Sequence, residues 1–241
     1  MLDWKRPSEY AFTELLSAAQ WAWEYLRRNP RYREEWQAFH ATWRELEGCY
    51  GSPPNRDFNR WKRDPRAWVS VVECEGSDCR IDADKVLIEC ALGARWGFYK
   101  FPPDPADDDP AGEGRLTWRP YQIEPRLLQA GEDSGEHLPG EVRIAFDLRL
   151  PLPAQLASAK RQLQIEQRAQ VRSGLIEAPH IRAHREWLRR LLRLLDGIEA
   201  GVDSEQLAAQ LYVGATESLL EDKATAIELR DHDYLRLLLL D

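Results

Sequence analysis

The sequence predicts an α+β protein: a helical N-terminal part, a central antiparallel β-sheet, and a helical C-terminal part with a helix-turn-helix-like end. Three observations carry this. Apolar residues recur at three- and four-residue spacings from Ser8 to Glu47 and again after Pro153. β-branched and aromatic runs occupy the middle, and the loops between them are rich in Pro, Gly and Asp. Of 241 residues 43% are hydrophobic and 31% charged, which excludes a disordered or fibrous chain. The longest apolar run is Leu237 to Leu240, too short to span a bilayer. Met1 to Tyr10 lacks an apolar stretch after its charges, and four cysteines are too few for a disulfide scaffold. A reduced, cytoplasmic protein is the expectation.

In the first element Tyr10, Leu15, Trp21, Trp23, Leu26, Trp36, Phe39 and Trp43 mark helical faces. Asn29-Pro30 splits them into a pair, because the residue before proline avoids the helical region, and Gly48 closes the second. Gly51 to Asp57 reads as a loop. Strands are expected at Trp68 to Cys74, Gly97 to Phe101, Leu116 to Ile123 and Val142 to Leu150. The last alternates most cleanly, with Val142, Ile144, Phe146, Leu148 and Leu150 on one face. Between them the acidic, proline-rich loop Pro102 to Gly114 is expected to be mobile. Helices then follow at Ala154 to Arg172, at Ile181 to Leu195 with Asp196-Gly197 as the stop, at Ser204 to Tyr212 with Ser204 as N-cap, and at Thr216 to Arg230. The change of pattern at Pro151 divides the chain into 1–150 and 151–241.

The formal charge is -8, yet it is segregated. Residues 71–153 hold 9 Lys/Arg against 17 Asp/Glu, and 197–241 hold 3 against 10, whereas 154–196 hold 9 against 4. In that basic segment Arg182, Arg185, Arg189 and Arg193 share one side of a helix, with Leu188, Leu191, Leu192 and Leu195 opposite. Arg161, Arg168 and Arg172 share a face of the preceding helix, opposite Leu156 and Leu163. Such faces suit phosphate, which a guanidinium grips with two prongs. The same faces can equally be solvated, or paired with acidic segments of this chain or of a sister copy. The helix-turn-helix outline carries Glu217, Glu221, Asp222 and Glu228 against Lys223 and Arg230 on its second helix, a charge that a phosphate backbone repels. A basic-aromatic run, Trp61 to Trp68, has the composition of a single-strand contact or of a loop anchored on a core.

Catalytic chemistry has no visible carrier. His180 and His184 are four apart without a third ligand, Cys74 and Cys79 have no matching second pair, and Asp104, Asp107, Asp108 and Asp109 lack a calcium-loop register. No glycine-rich phosphate loop or nucleophile elbow is present. No enzymatic activity, metal or cofactor is therefore expected.

Several stretches resemble a proteobacterial transcriptional-regulator-like family with a C-terminal companion domain of unknown function. They are Tyr10-Ala11-Phe12, the run from Trp21 to Tyr32 (WAWEYLRRNPRY), Trp96-Gly97-Phe98, Phe101 to Pro105, Trp118-Arg119-Pro120, Pro153, Gln155-Leu156, and Leu194-Leu195-Asp196-Gly197. The arrangement is similar to that of the RovC-type hexameric activators of type VI secretion genes. The resemblance implies a DNA-binding transcriptional activator of secretion or mobile-element genes, self-associating as a homo-oligomer, possible hexamers included, with promoter DNA and RNA polymerase as partners and no membrane. It also implies an alternative, an antiactivator that binds a partner regulator instead of DNA. The residues expected at the nucleic acid are Arg161, Arg168, Arg172, Arg182, Arg185, Arg189 and Arg193.

Overall fold

Helix α1 (Ala18–Leu26) is almost wholly buried. Ala18, Trp21, Ala22, Trp23, Tyr25 and Leu26 are all at most 1% exposed, and Glu24, on the remaining polar side, is 2% exposed. Ser17 and Gln20 start it with a capping box: the Gln20 N–H donates to Ser17 Oγ at 3.3 Å and the Ser17 N–H to Gln20 Oε1 at 3.0 Å. The computed structural model describes residues 2–74, 80–108, 116–122, 140–212 and 218–240. A 3₁₀ helix, Pro7–Leu15, precedes α1, and another, Asp233–Leu239, packs along it from the C-terminal end of the chain.

Asn29-Pro30 interrupts the N-terminal helices where the sequence places the break. Asn29 is extended and its side chain accepts from the Tyr32 N–H at 3.0 Å, so the residue that ends one helix caps the next, α2 (Pro30–Tyr50). The short helix α3 (Phe58–Trp61) follows, and Trp61 packs with Leu46 and Ala67 in a small core beneath it. The sheet is small and antiparallel: β1 (Trp68–Ser70) and β2 (Arg80–Asp82) both pair with β3 (Lys85–Leu87), in the order β1-β3-β2. Helix α4 (Ile88–Arg95) leaves β3 directly. The remaining helices are α5 (Leu152–Ser173), α6 (Ile181–Glu199), α7 (Ser204–Leu211) and α8 (Ser218–Asp231). None of the helices among the described residues is long and apolar enough to cross a membrane.

Several expectations need correction. Val142 to Leu150 forms no strand, because its backbone pairs with no neighbouring strand among the described residues; Leu148 is 83% exposed. Gly97 to Phe101 and Leu116 to Ile123 contribute only an isolated bridge, Phe98 to Trp118, whose rings stack at 4.1 Å; Ile123 lies outside the described residues. Trp68 to Cys74 is a strand for three residues and then a 3₁₀ turn. The described part of the acidic loop is pinned to the helices. Tyr32 Oη donates to the Pro103 carbonyl at 2.5 Å, Trp36 Nε1 to Pro102 at 3.2 Å and Trp23 Nε1 to Asp107 at 3.2 Å, while residues 109–114 lie outside the described residues. Asp203, and not Ser204, caps α7 by accepting from the Gln206 N–H at 2.8 Å.

Asp196-Gly197 does not stop α6, which runs on to Glu199. A Cβ at Gly197 would lie 2.5 Å from Leu207 and 3.2 Å from Trp4, so this glycine permits a close crossing within the helix. Asp196 is buried in an ion network. Arg28 donates to its two oxygens from Nε at 2.7 Å and Nη2 at 3.0 Å, and from Nη1 to Glu24 Oε2 at 2.6 Å, while Tyr10 Oη donates to Asp196 Oδ2 at 2.5 Å. Burial works against the Arg28 charge, but Asp196 and Glu24 outweigh it and hold the guanidinium protonated.

By packing, Met1–Tyr121 with His184–Asp241 form one unit and Gln122–Ala183 a second. In the second unit, Gln155 ties the chain before α5 to the helix: its Nε2 donates to the Asp147 carbonyl at 2.9 Å and its Oε1 accepts from the Asp147 N–H at 2.9 Å. Gly174, at φ 75, closes α5 in the left-handed conformation.

Glu89, in the first turn of α4, is 5% exposed and its Oε2 has no hydrogen-bond partner among the described residues. Burial raises its pKa. The folded chain therefore keeps this proton to a higher pH than the unfolded chain does. Its contribution to stability is complete below the unfolded value and is lost as pH rises through the folded one. Glu89→Gln is expected to melt progressively higher than wild type as pH rises from about 4.5 towards neutrality, where the carboxylate alone carries the penalty. A constant gap between the two melting curves across that range would contradict this.

Candidate nucleic-acid interface

The seven arginines expected at nucleic acid fall into different surroundings. On α5, Arg161, Arg168 and Arg172 are exposed and have no carboxylate partner among the described residues. At 100° per residue they lie within an arc of about 40°, with successive rises of about 10 and 6 Å along the axis. The one acidic side chain of α5, Glu166, accepts instead from Gln170 Nε2 at 2.9 Å. Arg182, in the first turn of α6, is likewise exposed and unpaired among the described residues.

Further along α6 the arginines turn inward to the N-terminal segment. Arg189 donates from Nε to Thr13 Oγ1 at 2.9 Å, from Nη2 to Glu14 at 2.6 Å and from Nη1 to Glu186 at 3.2 Å. Arg193 donates to the backbone carbonyls of Trp4 at 2.9 Å and Lys5 at 3.3 Å, and burial lowers its pKa. Arg185 is half-buried, and its Nε has no partner among the described residues. The face opposite Leu188, Leu191, Leu192 and Leu195, all at most 3% exposed, is thus covered by residues from far away in the sequence. Of the two alternatives left open by the sequence, Arg189 takes the pairing with an acidic residue of its own chain. The apolar side of α5 behaves in the opposite way: Leu156 is 56% exposed and Leu163 41%, and Ala159 is the one buried residue of that helix.

The helix-turn-helix outline is present as α7 and α8, while Val213-Gly214-Ala215, Thr216 and Glu217 lie outside the described residues. Asp222 faces inward: it accepts from Trp187 Nε1 at 3.0 Å, from Arg190 Nε at 3.2 Å and from Tyr212 Oη at 2.8 Å. Glu221 and Glu228 stay exposed, and Arg230 pairs with Asp231 at 2.7 Å. The outward side of α8 therefore keeps the acidic character that disfavours a phosphate backbone.

In the basic-aromatic run, Trp61 is fully buried and Trp68 half-buried, whereas Arg63 and Arg66 face solvent. Sequence reading missed the residues just before this run. Phe58 is 48% exposed and stacks on Trp61 at 5.4 Å, and Arg60 is exposed beside it. The only signal in the sequence is an aromatic residue directly after a polar loop.

Residues 3–68 match the model of a proteobacterial transcriptional regulator-like domain. The matched stretch runs from the N-terminal segment through α1, α2 and α3 to the start of β1, and does not include α5 or α6. No curated protein and no solved structure matches the chain. The match supports a role in transcriptional regulation.

Proposed function

We propose that the chain is a DNA-binding transcriptional activator that works as a homo-oligomer on promoter DNA, of secretion or mobile-element genes. The observation that carries the DNA contact is the row Arg161, Arg168 and Arg172: three guanidinium groups on one exposed face, without a carboxylate partner among the described residues, in a protein whose net charge is -8. Arg182 adds a fourth cation without a carboxylate partner among the described residues. Arg189 and Arg193 are already bonded within the chain and are the weaker candidates. One subunit offers few phosphate contacts, so several copies binding together would supply avidity, which multiplies affinity by about 10²–10⁴ where geometry allows.

Anisotropy of a labelled promoter duplex, titrated across salt, tests this. Changing Arg161 and Arg168 together to Glu should weaken duplex binding by tenfold or more, and the slope of log K against log salt should fall by about 0.9 for each phosphate no longer neutralised. Duplex binding unchanged in that variant would remove α5 as the contact surface. The second reading, a module that binds a partner regulator and not DNA, draws on the exposed Leu156, Leu163 and Ile165 of α5, which a phosphate backbone does not need. Failure of the wild type to retain duplex even at low salt would favour that reading.

A further inference from the structure

We propose that the turn from Phe58 to Arg63 is a contact surface for single-stranded nucleic acid, with Phe58 stacking a base and Arg60, Lys62 and Arg63 meeting the phosphates. It rests, like the proposed function, on nucleic acid being the ligand, but it places a different strand form on a different unit of the chain.

The charge at this turn is left over after its neighbours have been satisfied. Residues 56–63 hold Arg56, Arg60, Lys62 and Arg63 against Asp57 alone. Asp57 is used as the α3 cap, accepting from the Arg60 N–H at 3.2 Å. Asp64 is taken by Arg66, at 3.0 and 2.7 Å, and by Tyr50 Oη at 3.0 Å. Glu47 is taken by Arg44 at 3.1 Å and by Arg56 at 3.7 Å. Arg56 itself lies inside, its guanidinium 4.5 Å from the Trp43 ring centre and 5.0 Å from that of Trp61. Asp57, Asp64 and Glu47 are thus engaged elsewhere, and Arg60, Lys62 and Arg63 have no acidic partner among the described residues. Their contacts are aromatic: Arg60 lies 5.7 Å from the Tyr50 ring centre and Lys62 lies 6.0 Å from that of Phe58.

The aromatic component selects the strand form. Phe58 stacks on the buried Trp61, which fixes it, yet 48% of it stays open to solvent. An exposed ring among cations that have no acidic partner among the described residues is what an unpaired base can use, since each base offers a π-face; in a duplex those faces are already stacked on one another. The turn also lies inside residues 3–68, the stretch that matches the regulator-like domain.

The test uses the full chain and a fluorescein-labelled oligothymidylate of about 20 nucleotides, a probe with no duplex in it. Phe58→Leu, which keeps an apolar side chain over Trp61, should weaken binding about tenfold, and Phe58→Tyr should restore it. The double change Arg60→Glu with Arg63→Glu should weaken it further and flatten the salt dependence by about 0.7 in slope for each phosphate no longer neutralised. The pair Arg161→Glu with Arg168→Glu should leave it unchanged. Circular dichroism confirms that each variant is folded. Wild type that does not bind the oligothymidylate, turn variants that bind it normally, or its loss in the α5 pair would each overturn the proposal. Duplex binding sensitive to the α5 pair, with oligothymidylate binding insensitive to the turn variants, would leave the duplex contact standing and refute this surface.

Discussion

Replacing Arg28 with alanine is expected to lower the free energy of unfolding by about 3–5 kcal/mol, the cost of leaving buried charge without its counterpart. Arg28 is 5% exposed and engages Asp196 with two nitrogens and Glu24 with the third, so its loss leaves two carboxylates, themselves at most 4% exposed, with only the Tyr10 hydroxyl on Asp196 and Arg27 on Glu24 among the described residues. Those carboxylates come from α1 and α6, and Tyr10 adds a third element to the same cluster. Arg31→Ala is the control. Its guanidinium also pairs with a carboxylate, Glu35, but the side chain is 71% exposed, and such pairs are worth about 0–1 kcal/mol. Denaturant unfolding of both variants should separate them widely. Equal, small losses would show that water reaches the Arg28 cluster.

The second large effect is expected at Asp222. Asp222→Ala removes the acceptor shared by Trp187, Arg190 and Tyr212, three donors on and beside α6, and should cost about 2–4 kcal/mol because the buried Tyr212 hydroxyl and the half-buried Trp187 Nε1 lose their partner without regaining full solvation. Asp222→Asn keeps one acceptor oxygen and should cost less than alanine in the same unfolding experiment. If alanine were tolerated as well as asparagine, these hydrogen bonds would not hold α8 in place.

What the sequence made legible is what local chemistry decides. The break at Asn29-Pro30, the extent of α5 and the buried side of α6 follow from proline geometry and from period alone. Nonlocal pairing hid the rest. Val142 to Leu150 alternates like a strand but lacks a neighbour, while the actual sheet uses three-residue strands too short to show a pattern. Asp196-Gly197 has the composition of a helix stop, and the overriding term is Arg28, far away in the sequence. The candidate site divides in the same way. Helical spacing places Arg185, Arg189 and Arg193 on one side correctly, yet it carries no information that Thr13, Glu14 and the Trp4 carbonyl occupy that side. Likewise Asp222 counts as surface charge until Trp187 and Tyr212 are seen to face it.

The stitching of the N-terminal segment onto α6 bears on biogenesis. Tyr10, Tyr25 and Arg28 complete their hydrogen bonds with Asp196 and the Leu188 carbonyl, groups that the ribosome adds long after Trp68. A nascent chain halted at that point still has Trp21, Trp23 and Tyr25 uncovered. The regulator-like stretch therefore completes its buried hydrogen bonds only once α6 has been made.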